Sequence, residues 1–182
     1  MRSITVIAGP TASGKSEIAL AIAKKSDAVV INADSRQIYK ELLIGTARPT
    51  LKEMGDIPHY LYGYVSVSES YNIYRYQKDV EALLETIPEE KQIIMVGGTG
   101  LYIDSVIFGY ELQSQDNSPQ IREELNSLTL KQLQSKIPED VFEKLNESDR
   151  SNPRRLVRII ERDGKFLERK GQPIYPCTYY VI

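Results

Sequence analysis

Hydrophobic positions along the chain form three short apolar runs, each about the length of a buried strand. The runs are Ile4–Ala8, Ala28–Ile31 and Ile93–Val96, and none of them contains a charged residue. Between the runs, apolar residues recur at helical spacing within polar stretches. Strands that alternate with helices in this way are typical of a parallel sheet covered on both faces. We therefore predict an α/β fold.

The same pattern predicts where the elements and domains lie. We expect strands over 3–8, 28–32 and 92–96, and helices over 14–25, 35–40, 71–87 and 100–108, with a loop up to Pro58. Residues 118–147 are mostly polar and show only a helical pattern. The last residues, 173–182, have the composition of a strand. We therefore divide the chain into an α/β core (1–115), a small helical insertion (116–149), and a return to the core that carries a basic helix and the final strand (150–182).

The first predicted strand leads directly into a glycine-bearing turn. Its sequence is Gly9-Pro10-Thr11-Ala12-Ser13-Gly14-Lys15-Ser16. This spacing between a strand and a helix is the pattern of a phosphate-binding loop, whose backbone N–H groups face an oligophosphate. Lys15 supplies a positive charge, and the Ser16 hydroxyl can bind Mg²⁺. The sequence therefore predicts a P-loop NTPase-like parallel sheet flanked by helices, with these eight residues around a phosphate group.

A carboxylate follows the second predicted strand. Asp34 would lie at the carboxyl edge of the sheet, where ligands bind in open α/β folds. It could hold Mg²⁺, act as a general base, or cap the next helix. The third strand ends in glycines and Thr99, where an ATPase usually has its metal-binding aspartate. A phosphoryl-transfer enzyme would therefore depend on Asp34 for its metal.

Charge is distributed unevenly along the chain. The net charge is −2, but residues 150–170 contain eight basic and three acidic side chains, so this segment is +5 and the remainder −7. Asn152 and Pro153 predict a helix start. Arg154, Arg155 and Arg158 then lie opposite an apolar face. Such a helix suits a phosphate backbone, although a solvated surface is the alternative.

Composition narrows the class of protein. No run approaches the roughly 18 apolar residues of a membrane span. Because the N-terminus enters the first predicted strand at once, we expect no targeting peptide. Cys177 is the only cysteine, which fits a reducing compartment. We expect a cytoplasmic monomer that does not associate with membranes. His59, the only histidine, is expected to pack or to contact substrate rather than to bind a metal.

Five ordered blocks together resemble the tRNA dimethylallyltransferase family, also called tRNA Δ²-isopentenylpyrophosphate transferase. The blocks are 9–16, 32–37, 44–50, 57–59 and 97–103, with a weaker one at 152–158. The resemblance covers nearly the whole chain and becomes thinner after Asp104. Members of the family continue beyond the final strand, so this chain is expected to lack their C-terminal region.

The resemblance implies prenyl transfer from dimethylallyl diphosphate to N6 of an adenine beside the tRNA anticodon, with Mg²⁺ as cofactor. It implies that Lys15 and the loop hold the diphosphate, that Ser16 contacts Mg²⁺, and that Asp34 accepts the N6 proton. Thr99 would position Asp34 or the diphosphate, and Arg122 would steady the leaving pyrophosphate. The expected contacts with the tRNA anticodon stem-loop are Asp34, Ser35, Arg36, Gln37, Thr99, Arg122, Arg154, Arg155 and Arg158. The insertion would clamp the stem-loop or form a lid.

Two other functions are compatible with the residues. One is a small-molecule kinase that uses ATP at the same loop. The other is a non-catalytic remnant of the family that binds RNA or a nucleotide.

Overall fold

Five strands form one sheet in the order β3-β2-β4-β1-β5, and all of its pairs are parallel. The strands are β1 (Ile4–Ala8), β2 (Ala28–Asn32), β3 (His59–Tyr60), β4 (Gln92–Gly97) and β5 (Cys177–Val181). In this register Val6 of β1 pairs with Met95 of β4 and with Tyr179 of β5. The computed structural model describes residues 2–112, 119–165 and 171–182.

Helices cover both faces of the sheet. They are α1 (Lys15–Ser26), α3 (Ile73–Thr86) and α4 (Gly100–Ile107), with a one-turn helix α2 (Leu51–Met54) in the loop before β3. On one face, Ile7 and Ile94 pack with Ala19 and Ala23 of α1. On the other face, the sheet packs against α3 and α4, with Tyr76 fully buried. The predicted parallel sheet flanked by helices is confirmed.

The chain divides into two compact units, one of residues 1–112 and 169–182 and one of residues 113–168. The second unit contains α5 (Pro119–Ser127), α6 (Leu130–Ser135), α7 (Glu139–Phe142), α8 (Glu147–Arg150) and α9 (Pro153–Ile160). Its core includes Leu133, Leu145 and Leu156.

The basic helix α9 differs from the sequence-based division, which grouped it with the returning core. Leu156 and Val157 of α9 are buried in the hydrophobic cluster of the helical unit. The apolar face of α9 is therefore used within residues 113–168, and the return to the sheet unit begins at residue 169.

Residues 35–40 were predicted as a short helix, and this prediction is wrong. The segment forms turns followed by an isolated parallel bridge between Tyr39 and Val65. The Ile38 carbonyl accepts the N–H groups of Tyr64 and Val65, at 2.9 and 3.1 Å. Because these backbone groups pair with the segment after β3, they are not used for helical hydrogen bonds.

Within the described residues, no helix is long and apolar enough to cross a membrane.

Candidate active site

The phosphate loop lies between β1 and α1, as its sequence predicts. Gly14 has φ +84° at the start of the helix, a left-handed backbone that glycine adopts without strain. Lys15 is 7% exposed, and its Nζ donates to the Pro10 carbonyl at 2.7 Å. The lysine side chain is thus packed against the backbone of the phosphate loop. Ser16 follows it in the first turn of α1.

One hydroxyl in the loop fits a bound anion. Ser13 Oγ is buried and has no hydrogen-bond partner among the residues that the structure describes. A Cβ added at Gly9 would come within 2.9 Å of Ser13 Oγ and 2.8 Å of the Ile182 carbonyl oxygen. Buried polar groups rarely remain unpaired in folded proteins. An anion held by the loop could satisfy this hydroxyl.

Two glycines at the end of β4, Gly97 as its last residue and Gly98 directly after it, bring the loop and Asp34 to the same crevice. A Cβ at Gly97 would lie 2.1 Å from the Ala33 carbonyl, so only glycine allows the backbone before Asp34 to lie there. A Cβ at Gly98 would lie 3.1 Å from Gly9 O and 3.8 Å from Asp34 Oδ2. Gly98 therefore lies between the start of the phosphate loop and the carboxylate.

The two oxygens of Asp34 have different surroundings. Oδ1 accepts the Arg36 N–H at 2.9 Å, whereas Oδ2 is the oxygen near Gly98 and accepts no hydrogen bond from the described residues. Burial, helped by the charge of Asp34, raises the pKa of Tyr62. Burial raises the pKa of Tyr102 to about 12, with a smaller effect of Asp34. Both phenols therefore stay neutral at physiological pH and are not available there as bases.

Thr99 contacts the neighbour of Asp34 rather than its carboxylate. Its Oγ1 accepts the Ser35 N–H at 3.0 Å and donates to Ser35 Oγ at 3.2 Å. Its own N–H donates to the Ala33 carbonyl at 3.1 Å. Thr99 thus holds the backbone on either side of Asp34, and its predicted role in positioning Asp34 would act through that backbone.

Arg36 and Gln37, both predicted to contact tRNA, are in different environments. Arg36 is exposed. Gln37 is 7% exposed, and its amide donates to the carbonyls of Thr46 and Ala47 at 2.9 and 3.2 Å. Its amide nitrogen therefore anchors the loop before α2, and a contact between Gln37 and RNA stays a prediction.

The other predicted arginines lie in the helical unit. Arg122 of α5 pairs with Glu161, with Nε to Oε1 at 3.0 Å. Arg155 pairs with Asp149 at 2.6 Å, while Arg154 and Arg158 are exposed on α9. The carboxylate partner of Arg122 was not foreseen, and the assignment of Arg122 to the leaving group stays a prediction.

His59 packs as the sequence suggested. Its Nδ1 lies 2.7 Å from the Ile57 carbonyl, its ring centroid is 5.6 Å from that of Tyr62, and burial lowers its pKa. No group of three or more His, Cys, Asp or Glu side chains could hold a metal within residues 2–112, 119–165 and 171–182.

Sequence reasoning missed two residues that brace the segment around Asp34. Arg48 Nη1 donates to the Tyr39 carbonyl at 2.7 Å, and a Cβ at Gly63 would come within 1.8 Å of that nitrogen. Asn32 binds the backbone of Asp34 itself. An asparagine at the end of an apolar run is a signal that could have revealed the second of these.

Comparison with known proteins decides the family. The model of the IPP transferase family matches residues 37–177. The chain belongs to the IPP transferase family. It is 35% identical to a tRNA dimethylallyltransferase from Rippkaea orientalis over 98% of this chain and 60% of the relative. It is 36% identical to one from Enterococcus faecalis over 100% of this chain and 62% of the relative.

Solved structures agree with this assignment. A eukaryotic dimethylallyltransferase described as acting on tRNA superposes with a TM-score of 0.79 at 27% identity, covering 100% of this chain and 48% of that one. A full-length tRNA isopentenylpyrophosphate transferase from Bacillus halodurans gives 0.63 at 30% identity, covering 100% and 60%. The P-loop NTPase-like fold is thus confirmed. The chain spans about three fifths of the length of these curated relatives.

Proposed function

We propose that this chain transfers a dimethylallyl group from dimethylallyl diphosphate to N6 of an adenine next to the anticodon of tRNA, releasing pyrophosphate. The observation that carries the proposal is the position of Gly98, with Gly9 O at 3.1 Å and Asp34 Oδ2 at 3.8 Å from its added Cβ. A diphosphate in the loop and an amine near Asp34 would therefore meet in one crevice. Relatives named tRNA dimethylallyltransferase support the choice of reaction.

The proposed reaction exchanges one bond at the allylic carbon and transfers one proton. The adenine N6 forms a bond to the allylic carbon, whose bond to the diphosphate oxygen breaks, and the electron pair leaves with pyrophosphate. Asp34 Oδ2 accepts the proton that N6 loses, which overcomes the poor nucleophilicity of the amine. Loop N–H groups and Lys15 stabilise the charge that collects on the departing oxygens.

A Mg²⁺ ion fits the donors of the loop. Magnesium binds few protein ligands and takes other oxygens from substrate phosphates and water, so a loop hydroxyl beside a diphosphate is enough. We assign this contact to Ser16. When bound, the ion would neutralise charge on the leaving group.

The target base must leave its stack to reach Asp34, and single-stranded anticodon loops are recognised through unstacked bases. Exposed Arg36 follows Asp34 closely and is suited to contact such a base or its phosphate. We propose that the helical unit, with Arg154, Arg155 and Arg158, holds the stem-loop backbone. A cytoplasmic location and a monomeric state stay predictions.

Labelled dimethylallyl diphosphate tests the function directly. The protein is incubated with this donor and either an unmodified anticodon stem-loop or AMP. In a parallel reaction it receives ATP with candidate small-molecule acceptors. Label in the adenine of the stem-loop is the expected result. Phosphate transfer from ATP would instead identify a kinase, and binding of both ligands without turnover would identify a non-catalytic remnant.

The basic face of α9 is tested by changing Arg154, Arg155 and Arg158 together to alanine. Each lost phosphate contact lowers the salt slope by about 0.7 for single strands, so the slope of log K against log salt should fall by about 2. Binding of a fluorescent stem-loop at several salt concentrations measures it. Changing exposed Lys24 and Lys25, at the far end of α1, should leave the slope nearly constant. An unchanged slope in the triple variant would make α9 a solvated surface.

A further inference from the structure

Asn32 is a buried polar residue in an otherwise apolar strand. It ends β2, whose other four residues are Ala28, Val29, Val30 and Ile31, and its own exposure is 0%. An amide is costly to bury unless its hydrogen bonds are satisfied. An apolar residue would serve the core better, so the reason for an asparagine lies in what its amide binds.

The side chain of Asn32 holds the backbone of Asp34 at two points. Its Oδ1 accepts the Asp34 N–H at 2.9 Å, and its Nδ2 donates to the Asp34 carbonyl at 3.1 Å. The second proton of Nδ2 goes to the Leu61 carbonyl at 2.9 Å. One amide therefore fixes both peptide groups of Asp34 and ties them to the segment after β3.

Further contacts hold Asn32 and its partner Leu61 in place. Its own carbonyl accepts the Tyr76 hydroxyl at 2.9 Å, and the Tyr76 ring is stacked on Tyr102 with centroids 4.1 Å apart. Leu61, which receives the other amide proton, has φ +62°, a conformation that residues other than glycine adopt uncommonly. The chain thus keeps a disfavoured backbone where Asn32 binds it.

We infer that Asn32 is a positioning residue for Asp34. By fixing the Asp34 peptide groups, it directs the carboxylate toward Gly98 and the phosphate loop, so that Oδ2 meets the incoming amine in reactive geometry. The inference rests on the proposed prenyl transfer and extends it. Misplacement of a catalytic group by about 1 Å can cost about 10²-fold in rate.

Asn32→Ala and the milder Asn32→Ser test the inference. We expect kcat for transfer to the stem-loop to fall by about 10–100-fold, while KM for dimethylallyl diphosphate changes by less than about threefold. Gln77→Ala is the matched control. Gln77 is a 3% exposed amide of α3 that donates to the Ser105 and Tyr110 carbonyls, away from Asp34. It should lower the melting temperature similarly and leave kcat near the wild-type value.

A double variant separates positioning from general loss of stability. If Asn32 acts through Asp34, adding Asn32→Ala to Asp34→Asn should lower kcat by less than about threefold further. If the loss of kcat in the double variant were the product of the losses in the two single variants, the inference would be overturned. The same would follow if Gln77→Ala lowered kcat as much as Asn32→Ala does.

Amide hydrogen exchange provides a readout that does not depend on activity. The Asp34 N–H should be protected in the wild-type protein and should exchange at least about tenfold faster in Asn32→Ser, while core amides of β4 keep their rates. An unprotected Asp34 N–H in the wild-type protein would overturn the inference. A protected N–H in a protein without prenyl transfer would reject the proposed function and leave the hydrogen bonds of Asn32 intact.

Discussion

Replacing Asp34 with asparagine is expected to slow prenyl transfer by about 10²–10⁴-fold, the usual contribution of a general base. Asparagine keeps the oxygen that accepts the Arg36 N–H at 2.9 Å, so the local turn should survive. What it loses is the carboxylate that takes the N6 proton in the proposed reaction. The affinity for dimethylallyl diphosphate should stay within about threefold of the wild-type value. Single-turnover transfer to a stem-loop and calorimetric binding of the diphosphate measure the two quantities.

The same variant separates a base from a metal ligand. If Asp34 acts only on N6, the Mg²⁺ concentration that gives half-maximal rate should be the same in both proteins. A large increase in that concentration would assign Asp34 to the metal, as in a phosphoryl-transfer enzyme. Asp56→Asn is the control, since Asp56 is an exposed carboxylate before β3 and should have no effect. A loss of only a few-fold in Asp34→Asn would contradict the general-base role.

The sheet could be predicted because its signals are local. β1, predicted over 3–8, is observed at Ile4–Ala8, and β2 and β4 lie where apolar runs of strand length predicted them. Buried parallel strands have apolar residues on both faces, so a short continuous run is enough to identify them. The phosphate loop could be predicted equally well, because its pattern occupies eight consecutive residues.

Elements defined by distant partners were not predictable in this way. The two-residue strand β3 exists because His59 and Tyr60 pair with Val30 and Ile31 of β2. The segment after Asp34 is held by residues 63–65 in place of its own helical hydrogen bonds. Likewise, the sequence of α9 predicts a helix with one apolar face, but it does not show which of the two units buries that face.

The residues of the candidate site fall into the same two groups: those with a local sequence signal and those defined by contacts with distant residues. Gly9 and Lys15 were identified from the spacing of the phosphate-loop pattern, and Asp34 from its place at the end of a strand, which is a rule of topology. The contact of Gly98 with both the loop and Asp34, the amide of Asn32 and the pairing of Arg122 with Glu161 depend on side-chain geometry. Residue types suggested a base and a phosphate site, and only the fold showed that Gly98 lies close to both Gly9 and Asp34.

Replacing Lys15 with methionine should lower kcat/KM for dimethylallyl diphosphate by about 10²–10³-fold, the loss typical of removing one preorganised donor to developing negative charge. The lysine is 7% exposed, and methionine keeps an unbranched stem of similar length, so the packing of α1 should change little. The lost ammonium is the loop's only side-chain cation, since the other residues from Gly9 to Ser16 are uncharged. Transfer kinetics over a range of donor concentrations and calorimetric binding of pyrophosphate test this expectation.

Two further variants distinguish a specific donor from general attraction by positive charge. Lys24→Met removes a cation from the last turn of the same helix and should leave kcat/KM within about twofold. Lys15→Arg restores the charge, but its planar guanidinium is broader than an ammonium and must fit where Lys15 Nζ lies 2.7 Å from the Pro10 carbonyl. We therefore expect Lys15→Arg to recover less than a tenth of the wild-type kcat/KM. Full recovery would mean that the loop needs only a nearby charge, and equal pyrophosphate affinity in Lys15→Met would mean that the diphosphate binds elsewhere.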